Sequence, residues 1–186
     1  MLKWFRNFMN RRTASAKVRN AVMNHFASYE VFKENRKKSE EARSSENRPH
    51  EILYFHKVDD PYSHLTIQFI DRFRSSYNIQ FKPILVGEEN PETVHEPSLY
   101  NIYCLEDVRR IAHYYDVSFS AHSYPSKDLT TKANRILSAV QEANFGEVGK
   151  EVSAALWSAD EACLDGLLKE YSVSEKDAQQ KIRDGN

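Results

Sequence analysis

The tightest constraint on this chain lies between residues 51 and 87. Glu51 to Val58 reads EILYFHKV, and its bounded apolar run Ile52, Leu53, Tyr54 and Phe55 predicts a strand covered on both faces. Asp60 before Pro61 then marks a helix start, because aspartate caps free N–H groups and proline suits the first helical position. Leu65, Phe69 and Phe73, with Ile70 beside them, predict one continuous helix as far as Tyr77. A second strand runs over Ile79 to Val86, closed by Gly87. Strand, helix and strand make a βαβ unit with parallel strands. Two parallel strands alone are a poor independent fold, since such sheets normally have more strands and cover on both faces.

Beyond Gly87 the apolar spacing predicts helices: Tyr103 to Tyr115, Leu129 to Ala143, Val148 to Trp157, Glu161 to Tyr171, and a last one from Ser174, which Asp177 helps to cap. Only five glycines in 186 residues disfavour a turn-rich all-β fold. The N-terminal region also repeats at helical spacing, through Leu2, Phe5 and Met9 and then Val18, Val22 and Phe26. The expected class is therefore α/β but helix-dominated. An amphipathic helical arm spans 1–38, a polar linker 39–50, the βαβ unit 51–87 and a helical bundle 88–186, and the charged, Ser-rich run from Lys37 to Pro49 reads as a linker or a frayed helix end.

Charge is balanced, with 26 Lys+Arg against 27 Asp+Glu, so nothing global calls for a nucleic-acid partner. The imbalance is local: no acid precedes Glu30, and an Arg-rich opening with Trp4, Phe5 and Phe8 reads as a docking helix, with a transit peptide or interfacial helix as alternatives. No apolar run has transmembrane length. Cys104 and Cys163 form no C-x-x-C pair and read as reduced, buried thiols, which suits a reducing, cytoplasmic setting. His95, His113 and His122 lack metal-ligand spacing, so no metal site is expected. Lys33 to Lys38 (KENRKK) reads as a solvated face.

The passage LYFHKVDDPYSHL resembles the F-D-x-x-S-P-Y-S-x-L signature of kappa-class glutathione transferases and 2-hydroxychromene-2-carboxylate isomerases, within the DsbA-like thioredoxin superfamily. FKPILVG at 81–87 is similar to that family's second strand, and RRIAHYYDV, ANRILSAV and LWSADEACLD continue the likeness in order over about residues 51–183. The resemblance implies a thioredoxin-like half-core with a large helical insertion, glutathione as cofactor, and a small thiol or aromatic substrate. It also implies a later Gly-x-Pro-Thr loop and further strands, which do not occur before Asn186. With that later part lacking, the edge of the Ile52 to His56 strand would be exposed, and self-association, a partner domain or the N-terminal helices would cover it.

By the same resemblance, Asp60, Pro61, Tyr62, Ser63 and Asn90 would contact the cofactor, with Asp60 and Ser63 at the catalytic positions. Asp60 stands where the family has a serine that donates to the glutathione sulfur. A carboxylate accepts hydrogen bonds and cannot donate one, and it repels a thiolate. Two readings are open: a glutathione-linked isomerase or transferase with a substituted catalytic position, or a degenerate, non-catalytic thioredoxin-like scaffold. His64 reads as an exposed residue near the mouth of the site. Tyr100, Tyr103, Tyr114 and Tyr115 could border a substrate pocket, but more often such residues pack helices together with wet hydroxyls.

Overall fold

A computed structural model describes residues 16–87, 96–171 and 173–184. The chain divides into two compact units, Met1–Pro49 and His50–Asn186. In the first unit, α1 covers 16–26 and α2 covers Tyr29–Ser45. Ser28 caps α2 by accepting from the Val31 N–H at 3.4 Å. The helix then runs through residues whose composition suggests a linker. Lys38–Glu34 at 2.7 Å and Lys37–Glu41 at 3.8 Å are i,i+4 pairs of the kind that support a solvated helix, so residues 39–45 are helical, the helix-end alternative for this charged run. Val18, Val22 and Phe26 are exposed, and the earlier part of the arm, from Leu2 to Met9, lies outside the described residues.

The second unit opens with the predicted βαβ. Strand β1 (His50–His56) pairs in parallel with β2 (Ile79–Leu85), with Ile52 opposite Phe81 and His56 opposite Leu85. Among the described residues these two strands are the whole sheet. Burial along β1 alternates rather than being continuous: Ile52, Tyr54 and His56 turn inward, whereas Leu53 is 50% and Phe55 55% exposed. The expectation of cover on both faces is thus corrected to one covered face. The apolar run is real, but helices pack only against its even-numbered side chains.

The connecting helix is also two helices, α3 (Pro61–Ile67) and α4 (Ile70–Ser76), instead of one. The Thr66 hydroxyl donates to the Tyr62 carbonyl at 2.9 Å, and the Gln68 amide donates to the His64 carbonyl at 3.1 Å. Such side-chain bonds compete with the regular ladder. The backbone tightens accordingly, with Gln68 N–H on Leu65 O and Phe69 N–H on Thr66 O, each three residues back. The break lets both Ile67 and Ile70 reach the core, at 0% and 4% exposure.

The helical part comprises α5 (Pro97–Ala112), α6 (Lys127–Ala139), α7 (Phe145–Trp157), α8 (Glu161–Glu170) and α9 (Glu175–Asp184). These agree with the predicted helices to within a few residues at their ends, except that α5 begins well before Tyr103. Ser174 accepts from the Asp177 N–H at 3.2 Å and donates to its carboxylate at 2.7 Å, the expected cap. Helix α7 sits at the centre, lending Val152 and Leu156 to a core shared with Ile67, Ile136 and Leu164. Gly149 permits the approach of α3, since a Cβ there would lie 3.1 Å from the Ile67 Cδ1. A second cluster, Leu65 with Val108 and Ala112, ties α3 to α5. Ile136 is fully buried, so Ile136→Ala is expected to cost about 3 kcal/mol in equilibrium denaturation, by lost transfer energy and a residual cavity.

Candidate functional site

The passage from β1 into α3 places the turn as predicted. Asp60 is the N-cap, with extended backbone (φ −93°, ψ 123°), and Pro61 is the first helical residue. The Asp60 carboxylate accepts the Ser63 N–H at 2.6 Å. This places a full negative charge on the positive end of α3, where a bound anion would have to sit.

The other side chains of the turn are engaged inward. Ser63 is 9% exposed, and its hydroxyl oxygen accepts from the Lys57 N–H at 3.4 Å. Pro61 is buried. Tyr62 donates its hydroxyl to Asp107 of α5 at 2.8 Å, and desolvation followed by that hydrogen bond raises its pKa. Asn90 lies outside the described residues. The structure therefore brings Asp60, Pro61, Tyr62 and Ser63 together, as a closed turn.

His64 is a correction: it is 7% exposed rather than solvent-facing. Its Nδ1 shares a 2.7 Å hydrogen bond with the Ser153 hydroxyl of α7, while the ring also hydrogen-bonds the Ser118 backbone. Desolvation pushes its pKa down to about 4, partly offset by the Ser118 bond. At the end of β1, His56 is 1% exposed, with Nδ1 at 2.9 Å from the Tyr54 hydroxyl and Nε2 without a partner. Burial, then the nearness of His64, holds its pKa down to about 4. Rings surround both imidazoles: Phe145 lies edge-on to His56 at 5.8 Å, and Trp157 and Phe119 lie 5.8 and 5.7 Å from His64. Sequence reasoning missed this pair of histidines because the Ser153 partner is 89 residues away.

The remaining candidates are scattered. Cys104 is buried, but Cys163 is only partly so, a correction: it packs against the core yet opens onto the cavity beside Trp157; desolvation, then Glu151 and Asp160, raises its thiol pKa. Tyr100, Tyr103, Tyr114 and Tyr115 are 46%, 57%, 77% and 56% exposed, and Tyr115 stacks on Phe69 with ring centroids 6.4 Å apart. A cavity of about 680 Å³ opens at the carboxyl ends of β1 and β2, walled by α6 and α9. A smaller one of about 510 Å³ lies beside His64, Trp157 and Cys163. None of the four tyrosines lines either cavity. No described helix is long and apolar enough to cross a membrane.

No protein-family model and no curated protein sequence matches the chain. A solved structure of 2-hydroxychromene-2-carboxylate isomerase superposes on it with a TM-score of 0.46 and 14% identity, covering 72% of this chain and 71% of that one. At that score and identity the likeness says nothing about activity. The architecture stands on its own elements: a helix-dominated chain in which a parallel βαβ unit is followed by a bundle of helices.

Proposed function

We propose that this chain is a non-catalytic, thioredoxin-type interaction module. The observation that carries the reading is the 2.6 Å bond from the Ser63 N–H to the Asp60 carboxylate. A thiolate at a helix N-terminus is stabilised by unpaired N–H groups and the positive dipole end. Here a carboxylate already occupies that position, and it neither donates a hydrogen bond nor tolerates a second negative charge beside it. With Tyr62 tied to Asp107 and Ser63 turned toward the Lys57 backbone, the turn supports the helix rather than a reaction.

Interaction is supported by the sheet. β1 has β2 on one side only among the described residues, and Leu53 and Phe55 project from the open face. An unpaired strand edge next to exposed apolar side chains is a template for another strand. In the isolated chain the complementing strand is the β1 of a second copy, giving a symmetric pair. Sedimentation over a concentration series is expected to show a reversible dimer that Leu53→Lys combined with Phe55→Lys converts to monomer. A monomer at every concentration, or dimerisation indifferent to both lysines, would contradict this surface.

A further inference from the structure

Helix α1, over residues 16–26, is one-sided. Val18, Val22 and Phe26 recur every fourth residue with Met23 beside them, whereas Lys17, Asn20 and Asn24 fall on the opposite side. The apolar side is open: Val18, Met23 and Phe26 are 64%, 61% and 69% exposed. Exposure continues through Tyr29 and Phe32 at the start of α2, a helix with no buried residue along its length. A run of large apolar side chains left exposed in this way marks an interaction surface.

Charge narrows what that surface meets. Lys17 and Arg19 belong to a stretch with no Asp or Glu before Glu30, so α1 contains no acid that could neutralise them. Lys3, Arg6, Arg11 and Arg12 precede them in the same acid-free sequence, interspersed with Trp4, Phe5 and Phe8. Helix α2 differs, because its Lys38 and Lys37 pair with Glu34 and Glu41. The balanced total charge of the chain hides this contrast, since its acids lie later in the sequence. The complementary occupant is therefore anionic.

The position of Arg19 separates one anionic occupant from another. It stands three and four residues before Val22 and Met23, within the apolar side rather than opposite it. In an apolar protein groove its guanidinium would be desolvated and would need an acid placed to match. At a bilayer surface the aliphatic stem lies along the apolar side while the charged head reaches the phosphate layer. A cationic helix with an apolar stripe on one side is the pattern that rests in the plane of a membrane interface. We infer that α1 binds the surface of an anionic lipid bilayer. Val18, Val22, Met23 and Phe26 enter the acyl boundary, Arg19 meets the headgroups, and Lys17 adds attraction from the polar side. The helix lies on the membrane and does not cross it. This role is independent of the turn at Asp60 and of the β1 edge.

The test is flotation of the full chain with vesicles of phosphatidylcholine alone and with vesicles containing about one-third phosphatidylglycerol. The chain is expected to float with the anionic vesicles, to bind the neutral ones about tenfold more weakly or less, and to be released from both as salt rises. Val22→Ser combined with Phe26→Ser should weaken binding to the anionic vesicles about tenfold. Lys17→Gln combined with Arg19→Gln should weaken it about twentyfold, at roughly fivefold for each charge. All four positions are exposed, so both variants should keep the circular dichroism spectrum and urea midpoint of the wild type. No flotation with anionic vesicles, equal binding to the two compositions, or undiminished binding by either folded double variant would overturn the assignment, the last two pointing to a contact made elsewhere on the chain.

Discussion

Acidification from about pH 7 to about pH 5 is expected to lower the stability of the His50–Asn186 unit by several kcal/mol, above the range in which most of its ordinary carboxylates are protonated. The cause is the pair of buried imidazoles. His56 and His64 have pKa values of about 4 in the fold, against 6.5 for the free side chain. Between those values the unfolded chain binds more protons than the folded one, so stability rises with pH. The full stability is present above 6.5 and is lost as pH falls toward 4. Each shift corresponds to roughly 3 kcal/mol, and the pair together to on the order of 5 kcal/mol, comparable with the whole net stability of a small domain.

Urea denaturation at a series of pH values measures this directly. The midpoint should fall steeply below about pH 6.5, and His64→Gln or His56→Gln should each flatten that slope, whatever it does to stability near pH 7. A midpoint that stays level down to about pH 5 would show that neither ring is held neutral by burial in the folded protein.

The physical source of these shifts separates what is legible in the sequence from what is not. Local chemistry is legible. Asp60 and Pro61 form the cap and first helical residue because their capabilities are set by their own covalent structure, and Ser174 with Asp177 closes the start of α9 for the same reason. The apolar spacing of Ile136, Leu137, Val152 and Leu156 locates α6 and α7 because those residues form the core. Long-range partners decide the rest. Whether His64 is exposed or buried is set by α7 and the Phe119 segment, which supply Ser153, Trp157 and Phe119. Nothing in HKVDDPYSHL carries that information.

The break between α3 and α4 is hidden for a related reason. The stripe Leu65, Phe69 and Phe73 has helical spacing, but Gln68 also donates to the Ser118 carbonyl at 2.8 Å and accepts the Ser118 N–H at 2.9 Å, contacts 50 residues away that fix the break. The uncovered face of β1 is the converse case. Ile52 to Phe55 has the composition of a two-sided strand, yet cover for Leu53 and Phe55 is a property of what packs there, not of the run itself. Residue types alone place the cap and the first helical residue of the turn, but the direction of its hydrogen bonds is visible only in the structure.

Glutathione is expected to find no site at the turn. The Asp60 carboxylate sits on the Ser63 N–H of α3, Ser63 faces the Lys57 backbone and Tyr62 holds Asp107, so a thiolate brought to the helix start would meet a negative charge there. Replacing Asp60 by Ser removes the charge and keeps a competent cap, so the helix start should survive within about 1 kcal/mol. It leaves the inward positions of Ser63 and Tyr62 as they are.

Calorimetric titration of glutathione into the wild-type chain and into Asp60→Ser therefore decides whether the turn is structural or catalytic. No saturable heat is expected with either protein, both remaining folded. Saturable binding by the wild type would contradict a structural role for the turn. Binding that first emerges with Asp60→Ser would show that its remaining residues are not committed to the fold.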